Sequence, residues 1–213
     1  MTSKIKKLIL VLLLFFFSLP VFGSERGSIS SKEWSKSFES YLYNLGPVSG
    51  KFSQLDQFGK ISKGSFWSNG KGSIKFNYLP NSNLVMVIKD GLISVKEMKD
   101  GPISQYSIKD SPISSLFSDN FKLENFIINE IIIEGNIGTI ELRSKKDSSR
   151  NSIFLTSDYP YPTLRQWKLI DTQNNETLVF FSSIEKFDFF DESFFNLEWE
   201  KKNKIMVTVK YSW

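Results

Sequence analysis

Short runs of β-forming residues recur about every 8 to 15 residues through most of this 213-residue chain, and turn sequences separate them. After residue 47 no long helical pattern intervenes, so consecutive strands lack the crossover connections that a parallel sheet needs. The predicted strands cover residues 48–54, 64–68, 73–78, 84–88, 92–97, 127–134, 139–145, 151–157, 165–171 and 177–183. The spacing therefore predicts a mainly β fold, an antiparallel meander that curls into a barrel or half-barrel.

Two of the turns have sequences that favour β-hairpins. Asp90-Gly91 lies between two β-rich runs, and residues 135–138 separate a later pair. In the third strand Ile74, Phe76 and Tyr78 alternate with polar residues, as in a strand with one face in a core and the other in water. A shift of one residue exchanges the two faces of a strand, so the pattern alone leaves the parity of each strand open.

Two segments have a helical period instead. The first begins near Ser31 or Lys32 and ends before Gly46-Pro47, and its apolar residues recur at spacings of three and four. These apolar residues are Trp34, Phe38, Tyr41, Leu42 and Leu45. The second is a short amphipathic helix over residues 112–121, with Ile113, Leu116 and Phe117 on one face. Both helices are expected to cover one mouth or face of the curled sheet, either as a plug over an ordinary core or as a lid.

Residues 1–23 have the pattern of a secretory signal peptide. Three lysines precede an apolar run from Leu8 to Phe17, and Gly23 stands at the expected cleavage site. The run is short for a membrane span, which takes about 20 residues. Because no cysteine follows Gly23, the mature chain is not expected to become a lipoprotein. We predict an exported, soluble protein with a single domain over residues 24–213.

The composition excludes several kinds of chemistry. Cysteine and histidine are absent from the sequence, so thiol nucleophiles, disulfides, zinc fingers and histidine relays are excluded. Removal of the signal peptide takes three of the 27 basic residues and leaves 24 against 23 acidic ones, too little positive charge for nucleic-acid binding. Much catalytic chemistry is therefore excluded for this chain.

A group of acidic residues near the C-terminus is the pattern that comes nearest to a hydrolase. The carboxylates that could form a catalytic pair are Asp188, Asp191, Glu192, Glu198 and Glu200. The tryptophans that could stack on sugars are Trp67, Trp167 and Trp199. Nothing in the sequence places two of these carboxylates across one cleft, and charges in a turn-like segment are usually solvated. Glycoside hydrolysis is therefore not favoured.

An ordered series of short motifs follows the first helix. Residues 50–54 read GKFSQ, residues 59–66 read GKISKGSF, and residues 74–78 read IKFNY. Asp90-Gly91 comes next, and residues 110–117 begin with DSPI at the start of the second helix. The later motifs are Pro162 to Trp167, Asp171 and Thr177 to Ile184.

In order and spacing this series resembles the family of periplasmic outer-membrane lipoprotein carriers, LolA, over roughly residues 32–197. That family has a G-x-F-x-Q strand, a G…G-x-F hairpin, an L-R-F-E-Y strand, a D-G turn, a D-T-P-L lid helix and a closing block with W-x-x-x-D. The chain departs from it at Gly70-Lys71, where the family usually has Arg-Pro. The resemblance thus implies Lys71 as a possible lid latch, although lysine lacks the forked donors of arginine. Residues 174–176 also replace the family's usual glycine turn.

The resemblance implies an open β-barrel under a helical lid, acting as a monomeric, non-enzymatic periplasmic shuttle that binds the acyl chains of lipoproteins and needs no metal or cofactor. Its expected partners are acylated lipoprotein cargo, an inner-membrane ABC transporter that releases lipoproteins and an outer-membrane lipoprotein acceptor. The alternative is a periplasmic regulatory module of the same fold that senses lipids or lipoproteins, as sigma-factor regulators similar to LolA do. Those regulators carry a further C-terminal domain, for which we expect no room after residue 213.

Apolar residues of the alternating strands are the candidate acyl-chain contacts, because an acyl chain requires only an apolar concavity. They are Phe52, Phe66, Ile74, Phe76, Val85, Val87, Ile93, Val95, Leu155, Trp167, Leu169 and Val179. Leu116 and Phe117 are the lid candidates. Each of these residues taken singly could equally be ordinary core packing. Residues 205–211 alternate and predict one additional strand, which either closes an edge of the sheet or docks to a partner.

Overall fold

The structure is a computed structural model that describes residues 29–79, 84–97, 101–108, 113–116, 121–145 and 151–197. The predicted signal peptide, Phe117 and the strand predicted over residues 205–211 lie outside the described residues. The helices are α1, Ser31–Tyr43, and α2, Ile113–Leu116, with 3-10 turns at Leu123–Asn125 and Glu192–Phe195. The strands are β1 Val48–Leu55, β2 Ile61–Ser68, β3 Ile74–Leu79, β4 Leu84–Lys89, β5 Leu92–Glu97, β6 Ile103–Ser107, β7 Phe126–Glu134, β8 Ile137–Ser144, β9 Ser152–Asp158, β10 Leu164–Ile170 and β11 Glu176–Lys186.

All eleven strands form one antiparallel sheet that does not close into a barrel. Its spatial order is β6-β5-β4-β3-β2-β1-β11-β10-β9-β8-β7, so two meanders meet where β1 pairs with β11. The edges of the described sheet are β6 and β7. The mainly β fold predicted from the strand spacing, and the open half-barrel that the resemblance implies, are therefore confirmed.

The two hairpin sequences fold as expected, the second with a shorter turn. Asp90 and Gly91 have φ angles of 53° and 72°, and Lys89 pairs with Leu92 around them. Positive φ at both turn residues is what a two-residue type I′ turn requires. Glu134 likewise pairs with Ile137 around Gly135-Asn136, so Ile137 belongs to β8 rather than to the predicted four-residue turn.

Helix α1 begins with a capping box. Ser30 accepts a hydrogen bond from the Glu33 backbone N–H at 3.2 Å, and the Glu33 carboxylate accepts one from the Ser30 backbone N–H at 2.9 Å. The latter bond lowers the pKa of Glu33. The predicted apolar face is buried at Trp34, Phe38 and Leu42, so α1 lies with this face against the sheet.

Two segments differ from the prediction. Strand β6 was not predicted, because its sequence ISQYS is half polar, and it lies at a sheet edge where four of its five residues are exposed. The helix expected over residues 112–121 is described only as α2, and Phe121 is not helical. Phe121 is nevertheless buried, in the loop before the 3-10 turn Leu123–Asn125.

Candidate functional site

The inner face of the sheet, the face that α1 covers, carries most of the predicted acyl-chain contacts. A single large apolar cluster fills this face, and we call it the interior cluster. Seven of the predicted contacts are buried in it, namely Phe52, Phe66, Ile74, Phe76, Leu155, Trp167 and Val179. Ile93 and Leu169 are half-buried and pack against it. Val95 pairs with Met86 and shares the strand parity of Ile93. These residues from both meanders meet in one place.

The predicted parity of β4 is wrong. Val87 is buried in a second cluster on the outer face of the sheet, and Val85 packs against that cluster. Leu84, Met86 and Ile88 face the interior cluster instead. The sequence of β4, LVMVIK, is apolar at five consecutive positions and offers no polar residue that marks the solvent side. Both faces of β4 are covered by other residues. The sequence therefore does not indicate which of its residues point toward the interior cluster.

Aromatic rings form a continuous network in the interior cluster. The Phe52 ring lies edge-on to those of Phe76 and Tyr78, with centroids 5.0 and 4.9 Å apart. The Phe181 ring is 5.0 Å from the rings of both Phe66 and Trp167, again edge-on. Edge-to-face rings at such distances attract through their quadrupoles while burying large apolar areas. The network links β1, β2, β3, β10 and β11 across the junction of the two meanders.

Two glycines on β1 and β2 make room for these rings. A Cβ on Gly64 would lie 2.7 Å from the Phe52 ring and 2.0 Å from a backbone oxygen, and a Cβ on Gly50 would lie 2.6 Å from the Phe66 ring. No side chain fits at such distances without a shift of its neighbour. The glycines of the GKFSQ and hairpin motifs therefore allow the aromatic rings to lie flat on the sheet.

Helix α1 supplies the part of the interior cluster that the candidate residues omitted. Trp34 is fully buried, its Nε1 donates to the Asp158 carbonyl at 3.2 Å, and its ring lies over Gly138, where a Cβ would approach to 2.3 Å. The helical period had identified these residues as an apolar face, but the sequence did not show that they pack on the candidate lining. The signal in the sequence that could have indicated this packing was the aromatic character of the α1 face. In the structure the ring of Phe38 stacks on that of Trp34, with centroids 5.4 Å apart.

Few polar contacts tie α1 to the rest of the chain. Besides the Trp34 bond, the Glu39 carboxylate accepts a hydrogen bond from the Leu123 backbone N–H at 2.7 Å, and the Tyr159 hydroxyl donates to the Ile29 carbonyl at 2.6 Å. Burial raises the pKa of Tyr41, whose hydroxyl is hydrogen-bonded to the backbone of Leu164. Unlike the strands, α1 can move without breaking a ladder of backbone hydrogen bonds.

The predicted lid is described at Ile113 and Leu116, and both are buried members of the interior cluster. The second lid candidate, Phe117, lies outside the described residues. Lys71, the possible latch, is exposed in the β2–β3 turn, where its backbone N–H donates to Asn69 Oδ1. The charge of Lys71 acts on Glu192, whose pKa is lowered mainly by a hydrogen bond from Lys89. The contacts found for Lys71 thus lie near the outer face, and its latch role stays a prediction.

The outer face has an apolar cover of its own. The outer cluster consists of Val87, Phe195 and Leu197, with Trp67, Val85, Ile103, Phe190 and Phe194 packed against it. Most of these aromatic residues belong to residues 187–197, which follow β11. Lys75 is buried beneath this segment, with its Nζ 4.3 Å from the Phe194 ring centroid and 3.2 Å from the Phe194 carbonyl. A cleft of about 390 Å³ lies between this segment and β4–β6.

Two acidic residues of this segment, Asp191 and Glu192, have structural partners. Asp191 caps the 3-10 turn by accepting from the Ser193 backbone N–H at 2.8 Å, and Glu192 accepts from Lys89 and Asn69, each at 2.9 Å. Asp188 is exposed. Within the described residues no group of acidic side chains has a geometry that could hold a metal ion. No helix in the described part of the chain is long and apolar enough to cross a membrane.

Comparison with known proteins places this architecture in a family. The family model for the outer membrane lipoprotein carrier protein LolA matches residues 44–198. An uncharacterised protein of Rickettsia prowazekii (strain Madrid E) is 24% identical over 153 residues, which cover 70% of this chain and 71% of that protein.

Two solved structures are similar at low sequence identity. A LolA superfamily protein from Nitrosomonas europaea has a TM-score of 0.47 and 7% identity, covering 78% of this chain and 98% of its own. The MucA/MucB complex of Pseudomonas aeruginosa has a TM-score of 0.41 and 10% identity, covering 78% of this chain and 60% of the matched chain. Since the family model spans well over half of the sequence, the chain belongs to the outer membrane lipoprotein carrier protein family, LolA.

Proposed function

We propose that this protein is a periplasmic, non-enzymatic carrier that binds the acyl chains of lipoproteins between α1 and the inner face of its sheet. It receives lipoproteins from an inner-membrane ABC transporter and delivers them to an outer-membrane acceptor. Proteins of this family are periplasmic and bind lipoproteins, which supports the proposal. The signal peptide over residues 1–23, which would bring the chain to that compartment, stays a prediction.

One structural observation carries the proposal: the interior cluster is covered by helices, not by closure of the sheet. Ile113, Leu116 and the apolar face of α1, together with residues of the adjoining loops, complete a cluster whose other members come from an open sheet. An acyl chain that displaces these helices exchanges one set of apolar contacts for another and leaves the strand ladders intact. The covered apolar face can therefore open at a moderate cost.

The size of the hydrophobic effect limits how deeply the cargo can be buried. At about 0.8 kcal/mol for each buried CH₂ group, full burial of one 16-carbon chain gains about 12 kcal/mol, and three chains about 36 kcal/mol. Non-covalent affinities saturate near about 20 kcal/mol. Contacts within the closed interior cluster offset part of the gain, because they must be broken before an acyl chain enters. Partial burial with this opening cost keeps release possible.

Native mass spectrometry with a triacylated lipopeptide tests the proposal directly. The protein, expressed with its own N-terminus and purified from the soluble fraction, is mixed with the lipopeptide or with the same peptide lacking acyl chains. We expect a one-to-one complex with the acylated form alone. A complex with neither peptide would contradict the carrier function.

Two neighbouring residues of β4 provide matched variants. Met86 packs against the interior cluster and Val85 against the outer cluster, and both side chains are half-buried. We expect Met86→Gln to weaken lipopeptide binding about ten-fold, which corresponds to about 1.4 kcal/mol of lost apolar contact. Val85→Gln should leave the affinity within about two-fold of the wild type, since it removes a similar contact on the other face. Equal losses in both variants would mean that the inner face is not the binding site.

A further inference from the structure

The tip of the β1–β2 hairpin presents a phenylalanine to solvent from an ordered turn. Phe58 is 85% exposed. The turn is held by Asp56, whose Oδ1 accepts the backbone N–H groups of Phe58 and Lys60, both at 2.9 Å, and whose carbonyl accepts that of Gly59 at 3.0 Å. Gly59 has a φ of +78°, which completes the turn without strain. The exposure of Phe58 thus results from a well-bonded turn that points its ring outward.

The apolar surface continues from this tip onto the outer face of the sheet. Ile61 is 65% exposed and pairs with Leu55, and Leu79 is 52% exposed and pairs with Lys63. Alternation along β2 puts Ile61 and Lys63 on the same face as Trp67, which packs in the outer cluster. Phe58, Ile61 and Leu79, with the half-buried Leu55, form what we call the tip patch.

Within the β1–β2 hairpin, which carries most of the tip patch, the charges are predominantly positive. Lys51, Lys60 and Lys63 are exposed, and Asp56 is the single carboxylate in the sequence between residues 48 and 68. Asp56 is engaged by the turn, with one of its carboxylate oxygens accepting two backbone N–H groups. Exposed apolar side chains flanked by lysines are suited to a bilayer surface, where rings enter the headgroup boundary and ammonium groups meet anionic phosphates.

We propose that the tip patch docks reversibly on the surface of an anionic phospholipid bilayer. Phe58 enters the boundary between headgroups and acyl chains, and Lys60 and Lys63 contact the phosphates. The patch faces away from the interior cluster, so this contact neither requires nor blocks a bound acyl chain. With one aromatic ring and two aliphatic side chains the attachment is weak, which suits a protein that must leave the membrane again.

Co-sedimentation with vesicles tests this docking. We expect the wild-type protein to bind vesicles of phosphatidylglycerol and phosphatidylcholine in equal parts, and to bind pure phosphatidylcholine poorly. Binding to the anionic vesicles should fall as salt is raised. Phe58→Ser should weaken it about ten-fold. Lys60→Gln and Lys63→Gln should each weaken it about five-fold.

Tyr161 provides the matched control, because it is also 85% exposed but lies at the other end of the sheet, in the β9–β10 connection. The strand pairing puts this connection and the β1–β2 tip at opposite ends of the sheet. Leu55, next to the tip, pairs with Leu178 at the start of β11, whereas Leu164 and Ser157, next to the β9–β10 connection, pair at the other end. Tyr161→Ser should bind vesicles like the wild type. Equal binding by Phe58→Ser and wild type, or an equal loss in Tyr161→Ser, would overturn the proposal.

Two measurements separate this proposal from other outcomes. Phe58→Ser should retain its affinity for the triacylated lipopeptide, and Met86→Gln should retain vesicle binding, so a failure of docking is distinguishable from a failure of the carrier function. Light scattering on the wild type and Phe58→Ser distinguishes a lipid surface from a second copy of the chain. A wild-type dimer that becomes a monomer in Phe58→Ser would overturn membrane docking in favour of self-association.

Discussion

Tyr78 places a hydroxyl group at the inner face of β3, among the rings of the interior cluster. Its OH donates to Gln54 Oε1 at 2.7 Å, and only 6% of the residue is exposed. Burial raises the pKa of Tyr78 above its ordinary value of 10.0, because a phenolate would lose its hydration there. A single buried hydroxyl thereby makes the free energy of unfolding depend on pH in the alkaline range.

Tyr78→Phe should reverse its effect on stability between neutral and alkaline pH. A raised folded-state pKa means that the contribution of Tyr78 is complete below about pH 10, the unfolded-state value, and is lost as pH rises above it. By about pH 11 the wild type loses about 1.4 kcal/mol through this group, whereas the variant does not. The missing hydrogen bond costs the variant about 1 kcal/mol near pH 8. Urea unfolding should therefore show the variant less stable near pH 8 and at least as stable near pH 11.

Tyr106→Phe is the control for this measurement, because Tyr106 is 59% exposed on the edge strand β6. Its variant should follow the wild-type pH dependence. A stability difference between wild type and Tyr78→Phe that stays constant from about pH 8 to pH 11 would contradict the assigned burial effect.

At the scale of elements, α1 combines a strong sequence signal with weak attachment. Its capping box and apolar period predict the helix, and its buried face completes the interior cluster. A surface cleft lined by Lys36 and Lys122, among others, separates α1 from the loop that leads into β7. This loop is continuous with the sheet. A tie across the cleft would therefore hold α1 closed over the interior.

Cross-linking α1 to the β7 loop should block acyl-chain binding. Because the sequence has no cysteine, Lys36→Cys with Lys122→Cys introduces a single pair, which a cleavable bismaleimide can join. We expect the cross-linked protein to keep its fold by circular dichroism but to lose lipopeptide binding in native mass spectrometry. Binding should return when the linker is cleaved.

A second cross-link serves as the control. Ser94 and Gln105 pair on the outer side of β5 and β6, remote from α1, and their side chains are hydrogen-bonded at 3.1 Å. Ser94→Cys with Gln105→Cys, joined by the same reagent, should leave binding unchanged. If the α1 cross-link also left binding unchanged, the acyl chains would enter without movement of this helix, and the role of α1 as a lid would be wrong.

At the scale of the whole molecule, the open sheet leaves two faces that both carry apolar clusters. The interior cluster joins the two meanders. In the outer cluster, residues 187–197 pack against side chains of β2, β4 and β6. Hydrogen bonds from Lys89 and from the Ser30 backbone lower the pKa of Glu192 and Glu33, respectively. Gating of the interior must then come from conformation or from a partner.

Lipopeptide affinity should therefore be nearly independent of pH in the neutral range. The sequence contains no histidine and no cysteine, the side chains that most often change charge there. We expect the dissociation constant to stay within about two-fold between about pH 5.5 and pH 8. Fluorescence titration of the lipopeptide at several pH values measures it. A ten-fold change across this range would indicate a titrating switch that the described residues do not show.

The sequence by itself determined the fold class, the helix α1 and most of the strands, because each depends on short-range signals. Alternation of apolar and polar residues indicates a strand with one face exposed to solvent. Asp90-Gly91 specifies a tight turn, and Ser30 with Glu33 caps a helix within one turn. Where those signals are present the prediction is confirmed, with strand ends shifted by a few residues.

Only the tertiary structure decided which faces the apolar residues occupy and what covers them. Val85 and Val87 lie outward because residues 187–197, about a hundred positions later in the chain, cover that side of β4. Trp34 fills the interior because Gly138, on β8, leaves space for its ring. Phe58 is apolar, yet its turn holds it in solvent. Burial is a property of packing between distant segments, so no local pattern contains it.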